Sequence, residues 1–286
     1  MCQEGATQIE KLPKPGRKVA VIGAGPAGME AAVTLKQRGF DVVVFDKRDE
    51  IGGNLHVAKN APFKGKFEWA IDYYKSMAKK LNITMKLGKE VTAQEVLALK
   101  PYSILVATGS NVISIPLEGL DQVQTVQAHD VLANDMQFAN KKVVVIGGGI
   151  TGLETALYIN RQGTNQVSVV DMLPEWPVDM LDMRYQNEAL LEVRHCNDQG
   201  VALFYNNKVV KFADGKLFIE STKDGEVKEL PADVIVLSVG VKPNDALWQE
   251  LLASGHPSVW KAGDAIATGK INKAVLHGSK FGYSLN

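Results

Sequence analysis

Two glycine-rich turns, each followed by a carboxylate at nearly the same remove, are the residues of this 286-residue chain best placed to do chemistry. The first is Gly23-Ala24-Gly25-Pro26-Ala27-Gly28 with Asp46, and the second is Gly147-Gly148-Gly149-Ile150-Thr151-Gly152 with Asp171. In a G-x-G-x-x-G pattern the first glycine permits a tight turn and the second lets backbone approach a pyrophosphate. The third lets a helix pack close to a sheet. Free N–H groups and the helix dipole at the turn then hold the negative phosphates. A carboxylate about 20 positions further on is placed to accept hydrogen bonds from ribose hydroxyls. One such fingerprint is a weak signal; two complete ones in one chain point to binding of two dinucleotides.

Asp171 also discriminates between nicotinamide cofactors. A carboxylate there accepts from the ribose 2′-OH of NADH and repels the 2′-phosphate of NADPH, which usually needs a nearby arginine. Met172 and Leu173 follow, and no arginine comes before Arg184. NADH rather than NADPH is the expected partner of the second turn.

Such turns act only when a strand feeds them and a helix leaves them. Lys18–Ile22 is a short β-branched run suited to a strand buried on both faces. An Ala-rich helix to about Gln37 and a second strand, Asp41–Phe45, complete a strand–helix–strand unit and imply a parallel sheet. A helix over Trp69–Leu81 and strands over Ile83–Leu87 and Ser103–Ala107 extend it. Lys142–Ile146, the helix after Gly152 and Gln166–Val170 repeat the unit. Gly23 and Gly147 lie 124 positions apart, a spacing that means a second domain of the same kind and not a solenoid repeat. Between Val201 and Pro231, Asp214-Gly215 and Asp224-Gly225 predict hairpin turns joining short strands. Val259–Ala262 reads as a strand and the end of the chain as a helix. The fold class is α/β, with two Rossmann-like dinucleotide-binding domains.

Composition removes several function classes. Lys and Arg total 32 and Asp and Glu total 32, so no net field draws the chain to nucleic acid or an anionic membrane. The two cysteines, Cys2 and Cys196, are far apart, which excludes a disulfide framework and suits a reducing compartment. Met1–Pro15 lacks the apolar segment of a signal peptide, and no stretch nears the ~20 apolar residues of a spanning helix. A cytoplasmic location is expected.

Further residues carry a resemblance. The first fingerprint and Asp46, with Gly52-Gly53-Asn54, Ala107-Thr108-Gly109 and Ala262-Gly263-Asp264-Ala265, resemble the two-dinucleotide flavoprotein (pyridine nucleotide-disulfide oxidoreductase-like) superfamily. The resemblance implies FAD in the first domain, with the nicotinamide domain inserted into it. The expected divisions are 1–117 and 250–286 for the halves of the FAD domain and 118–249 for the NAD(P) domain. Ala107-Thr108-Gly109 would end the first half, and its counterpart around Gly240 would close the insertion. Asp264 would meet the ribityl and pyrophosphate region. A helix from about Lys273-Ala274 would point its N-terminus at the flavin ring. Within the superfamily, Gly25–Ala32, Asp46-Lys47, Ile51–Asn54 and Lys89-Glu90-Val91-Thr92 are similar to the C-terminal region of the 2,4-dienoyl-CoA reductase, enoate reductase and trimethylamine dehydrogenase group. Full-length members of that group place an FMN-binding barrel and a [4Fe–4S] cluster ahead of this region. Neither is expected here, since Cys2 alone cannot supply the four thiolates that a cluster needs.

The disulfide-reductase branch of that superfamily carries a cysteine pair beside the flavin. After Gly53 this chain reads Asn54-Leu55-His56-Val57-Ala58-Lys59, so thiol–disulfide chemistry is excluded and Cys196 reads as a buried small hydrophobe. The expected activity is that of an FAD-dependent NAD(P)H oxidoreductase module. Hydride passes from NADH to FAD and electrons pass to an external acceptor, a partner or domain carrying Fe–S or FMN in a dienoyl-CoA or enoate reductase-like system. Two other readings stay open: a non-catalytic scaffold holding ADP, as the matching domain of trimethylamine dehydrogenase does, and a stand-alone diaphorase acting on quinones. The five histidines show no metal-ligand spacing. Glu154, read as lying in the first turn of the second fingerprint helix, is either a carboxylate favoured by the helix dipole or, by the resemblance, a group near the nicotinamide ring. Trp69, Trp176, Trp248 and Trp260 read as packing, and Lys64-Gly65-Lys66 and Lys79-Lys80 as a solvated face.

Overall fold

The computed structural model describes residues 16–174 and 183–286. The chain begins with β1 (Lys18–Ile22), α1 (Pro26–Arg38), β2 (Asp41–Phe45), α2 (Leu55–Asn60), α3 (Phe67–Lys80), β3 (Thr84–Lys86), α4 (Ala93–Ala98), β4 (Ser103–Val106) and β5 (Ser110–Val112). It continues through β6 (Gln124–Gln127), α5 (Ala128–Ala133), β7 (Lys142–Ile146), α6 (Ile150–Asn160), β8 (Gln166–Val170) and α7 (Met183–Asp198). Then come β9 (Ala202–Phe204), β10 (Asn207–Ala213), β11 (Lys216–Ser221), β12 (Val227–Pro231) and β13 (Val234–Leu237). It closes with β14 (Val241–Pro243), α8 (Ala246–Ala253), β15 (Val259–Lys261) and α9 (Ile271–Ser284). Among the described residues no helix is long and apolar enough to cross a membrane.

These elements form two compact units. One holds the residues up to His56 with Lys66–Asn111 and Val241–Asn286; the other holds Val57–Gly65 and Val112–Gly240. The crossings come earlier than the expected 117/118 and 249/250, for packing reasons. β5 pairs with β14. Leu247, Trp248 and Leu251 of α8 pack with Val96 and Ile104 of the first unit. The short segment Val57–Gly65 sorts with the second unit because Val57 and Ala61 pack on Leu132.

The first unit is a five-stranded sheet in the order β15-β4-β1-β2-β3, parallel throughout. Successive side chains of a strand point to opposite faces, so its β-branched runs feed two cores. Val19, Val21, Val42 and Val44 face α1, α3 and α9, and Ala20, Ile22, Val43 and Phe45 face α4 and α8. Proline at the first helical position starts α1, where its missing N–H costs nothing and its fixed φ suits a helix. α9 lies so close to α1 that a Cβ on Gly278 would collide with the Ala27 carbonyl. The buried Arg38 guanidinium donates to the carbonyls of Gly282 and Leu285, both at 2.6 Å, satisfying acceptors that a helix end leaves open.

The second unit repeats the plan with a parallel sheet in the order β6-β13-β7-β8-β9. A separate antiparallel sheet, β10-β11-β12, turns at Asp214-Gly215 and at Asp224-Gly225. Residues of α7 and α6 meet over this unit's core, where Val193 and Cys196 pack with Leu153, Ala156 and Leu157.

The tryptophan expectation needs correcting. α3 buries Ile71, Tyr74 and Ala78, one stripe at helical spacing, and this leaves Trp69 on the outer face at 68 % exposure. Lys66 Nζ lies 5.7 Å from its ring centroid. Trp260 is also half exposed, only Trp248 packs in a core, and Trp176 lies outside the described residues.

The α1–α9 contact gives a stability prediction. Gly278→Ala forces the two helices apart and lowers the unfolding free energy by about 1–3 kcal/mol, the usual cost of overpacking. Urea denaturation followed by circular dichroism reads this as a lower midpoint; an unchanged midpoint would mean that the helices have room to spare.

Candidate functional site

The first fingerprint turn hangs from the end of β1. Gly23 adopts φ 112°, which L side chains rarely reach, and its N–H donates to the Phe45 carbonyl at 2.7 Å. A Cβ at Gly23 would collide with the Ala107 carbonyl, and one at Gly28 with the carbonyl of Gly23. Gly25 is the N-cap of α1 and no side chain caps that helix. A Cβ built on it meets only the Gly53 Cα, at 3.9 Å. Asp46 completes the turn: its Oδ2 accepts from the Ala24 N–H at 2.6 Å and its Oδ1 from the Arg48 N–H at 2.8 Å.

The second turn has the same construction. Gly147 has φ 110° and donates to the Val170 carbonyl at 2.8 Å. Side chains at Gly147 and Gly152 would collide with the carbonyls of Ser238 and Gly147. Gly149 is the uncapped N-cap of α6, and nothing lies within 4 Å of a Cβ placed on it. Asp171 Oδ2 accepts from the Gly148 N–H at 2.6 Å and Oδ1 from the Leu173 N–H at 2.8 Å. Each turn therefore pairs an open glycine edge and uncapped helix N–H groups, as a pyrophosphate requires, with a carboxylate fixed at the strand end, as a ribose requires.

Residues 17–276 match the family described as pyridine nucleotide-disulphide oxidoreductase. The chain belongs to that family. It is accordingly an oxidoreductase of the class built to hold FAD and NAD(P)H. It is 31% identical over 291 residues to NADH oxidase of Thermoanaerobacter brockii, covering 99% of this chain and 43% of that protein. It is 35% identical over 228 residues to bilirubin reductase of Mediterraneibacter gnavus, covering 80% of this chain and 34% of the relative. Among solved structures, a 2-naphthoyl-CoA reductase complex superposes with a TM-score of 0.87 at 29% identity, covering 99% of this chain and 42% of that one. The chain thus spans less than half the length of these relatives. The reductase-group resemblance read from the sequence agrees with these matches.

As a member of this family, the first unit gathers most of the residues singled out in its sequence. Gly53 lies against Gly25. Thr108 Oγ1 donates to the Asn244 carbonyl at 2.6 Å, and the Gly109 carbonyl accepts from the Asn244 N–H at 3.0 Å. A Cβ on Gly263 would stand 3.0 Å from the Ala27 Cβ and 3.7 Å from that of Ala274, so the Gly263-Asp264 turn sits beside α1 and α9. Asp264 Oδ1 accepts from the Gly269 N–H at 3.1 Å. Lys273 lies in the first turn of α9, which begins at Ile271. Lys47 and Asn54 are exposed on the loops that follow β2. Val91 differs: its side chain is buried in the core with Phe45 and Val96, leaving only its backbone to face a ligand. Arg48 was not foreseen. Its Nη1 donates to the Gly53 carbonyl at 2.8 Å and ties the Asp46 loop to the Gly52-Gly53 turn. The run Asp46-Lys47-Arg48 was the available signal.

In the second unit Ile150 and Thr151 open α6, and the Gly240 carbonyl accepts from the Ile113 N–H at 3.0 Å. Glu154 is the fifth residue of α6, in the second turn rather than the first, too far along for the helix-terminus reading. It is buried and ion-paired with Lys64, whose Nζ also lies 2.9 Å from Glu188 Oε1. Burial lowers the Lys64 pKa, but the hydrogen bonds and charges of Glu154 and Glu188 outweigh it and raise the net value. Lys64 is therefore no part of a solvated face. Burial, reinforced by the Glu154 charge, raises the Glu192 carboxyl. Burial pushes the Cys196 thiol up to about 12, which makes it a core side chain and a poor nucleophile. His56 and His256 each contact a backbone carbonyl, those of Ile51 and Pro101, at 2.9 and 3.0 Å.

Two outcomes follow for this cluster. Lys64→Met strands the Glu154 charge and destabilises by about 3 kcal/mol, the usual scale for breaking a buried pair. Adding Glu154→Gln recovers part of the loss, and urea unfolding of the two variants checks both steps; a Lys64→Met change below about 1 kcal/mol contradicts the burial argument. Glu192 keeps its proton in the folded protein at pH values where the unfolded chain has lost it, so its contribution to stability falls as pH rises through the raised pKa. Glu192→Gln should therefore gain stability over the parent with rising pH; a constant difference between them would refute it.

Proposed function

We propose that this chain is the nicotinamide-oxidising half of an electron path, taking reducing equivalents from NADH at the second fingerprint and delivering them from the first to an acceptor outside the chain. FAD, when bound, supplies hydride acceptance from the nicotinamide and release of electrons to the acceptor. The observation that carries this reading is the duplicated turn: Ala24 N–H on Asp46 and Gly148 N–H on Asp171, both at 2.6 Å.

Gly23, Gly25 and Gly28, with Asp46 and the Gly53 turn, hold the adenosine diphosphate part of FAD in this reading. Asp264 and the first turn of α9, with Lys273 and Ala274, face its remainder. Ala107, Thr108 and Gly109 supply the floor. Gly147, Gly149 and Gly152 hold the pyrophosphate of the nicotinamide cofactor. Asp171 selects NADH over NADPH, supported by a stretch from Met172 to Met183 that holds Glu175, Asp179 and Asp182 and no lysine or arginine.

The acceptor is a protein or domain carrying an Fe–S cluster or FMN. Three facts support this assignment: the stretch Asn54–Lys59 after Gly53 holds no cysteine to take the electrons, Cys196 is buried in the core, and the relatives run well beyond this chain. A cytoplasmic location fits two cysteines so far apart.

The protein should purify yellow and be bleached by NADH under anaerobic conditions. Stoichiometric flavin that neither NADH nor NADPH bleaches would overturn the reading. An ADP-holding scaffold would instead lack flavin absorbance and gain thermal stability with ADP. Asp171→Ala should weaken NADH more than NADPH by roughly tenfold, the scale of one lost charge-assisted hydrogen bond. Titration with both nucleotides checks this, and equal losses would refute the 2′-hydroxyl argument.

A further inference from the structure

The two fingerprints differ in the residue that follows the first glycine. Where the first has Ala24, fully buried, the second has Gly148. Gly148 carries no positive φ, so backbone conformation does not demand a glycine there. The reason is crowding. A Cβ built on Gly148 would stand 3.0 Å from Cε1 of Tyr205, 3.2 Å from the Asp171 Cβ and 3.3 Å from its Oδ2. An aromatic ring therefore crowds, in the second unit, the space that a methyl group fills in the first.

Tyr205 sits in the turn between β9 and β10, and that turn is bonded to the Asp171 loop along its length. The Asp171 N–H donates to the Phe204 carbonyl at 3.0 Å. The Asn206 N–H donates to the Leu173 carbonyl and the Asn207 N–H to the Asp171 carbonyl, both at 2.9 Å. Asn207, itself buried, donates its side-chain amide to the Tyr205 carbonyl at 2.8 Å. The Asn206 carbonyl in turn accepts from the Thr222 N–H at 2.7 Å. The Asp171 carboxylate sets an oxygen on each of two amides, and the Tyr205 ring and Asp171 both border the space beside Gly148. A carboxylate has about four acceptor positions, so two remain for ribose hydroxyls. A 2′-phosphate brought to the same spot meets that negative charge.

We infer that Tyr205 is a positioning residue for nucleotide selection: its ring, wedged against Gly148, holds Asp171 in the orientation that accepts a free ribose and rejects a 2′-phosphorylated one. This deepens the proposed function and rests on its assignment of NADH to the second unit.

The test is equilibrium binding to the flavin-loaded protein, by calorimetry, of ADP-ribose and of 2′-phospho-ADP-ribose. These probes carry the selecting half of the cofactor and no reactive ring. The parent should prefer ADP-ribose. Tyr205→Ala should narrow that preference by about tenfold, the scale of one charge-assisted hydrogen bond lost to a wandering carboxylate, while Tyr205→Phe, which keeps the ring, retains it. Gly148→Ala reaches the same contact from the other side and should narrow the preference too, so the inference stays testable if Tyr205→Ala does not fold. A parental ratio in folded Tyr205→Ala, or in Gly148→Ala should the former not fold, overturns the inference and leaves the NADH assignment standing. A parent that prefers the phosphorylated probe, or binds neither, overturns the NADH assignment and the inference with it.

Discussion

A short hydrogen bond from a backbone N–H to a carboxylate is the contact on which both halves of this protein are organised. In each unit the residue after the first fingerprint glycine donates at 2.6 Å to the acid at the end of the second strand. The bond spans neighbouring parallel strands, so it sets how the turn leaves one strand and where the carboxylate sits on the next. The open glycine edge, the uncapped helix start and the acid at the strand end all take their places from that geometry. Charge-assisted bonds of this kind are about twice as strong as neutral ones, which suits an element that must hold its shape for a ligand.

The same frame is braced differently in the two units. In the first, α9 returns late in the sequence to lie on α1. Its glycines permit the approach, and Arg38 closes its far end by bonding the Gly282 and Leu285 carbonyls. In the second, the brace near the fingerprint helix is ionic, Lys64 between Glu154 and Glu188. The two helices carry glutamates at matching positions, Glu30 and Glu154. Burial raises the pKa of Glu30, which accepts from the Tyr74 hydroxyl at 3.1 Å, whereas Glu154 has a lysine. One fold has thus been furnished with two chemistries at equivalent points.

Much of this was legible in the sequence because it rests on local rules. β-branched runs before glycine turns give parallel strands, Asp-Gly pairs give hairpins, and the acids at strand ends follow from spacing alone. The less legible features depend on chain segments far apart in sequence. Lys64 reads as a surface lysine until Glu154 and Glu188, 90 or more residues later, are folded against it. Trp69 reads as core by residue type, but the phase of α3 places Ile71 and Tyr74 inward instead. Gly148 stands at a variable position of the fingerprint, and only the tertiary placement of Tyr205 and Asp171 gives the glycine a reason. The unit boundaries shifted for the same cause, since α8 packs by its own apolar stripe and not by its distance from the fingerprints.

The central claim is that one chain holds two different nucleotides at two unequal sites. It is tested most directly by counting ligands on the purified protein, flavin by absorbance after denaturation and ADP-ribose by equilibrium dialysis on the flavin-loaded form. The count should be one flavin and one ADP-ribose per chain, and a bulky substitution at Gly149 should abolish ADP-ribose binding while leaving the flavin in place. Loss of flavin in that variant, or two equivalents of a single nucleotide on the parent, would contradict the account.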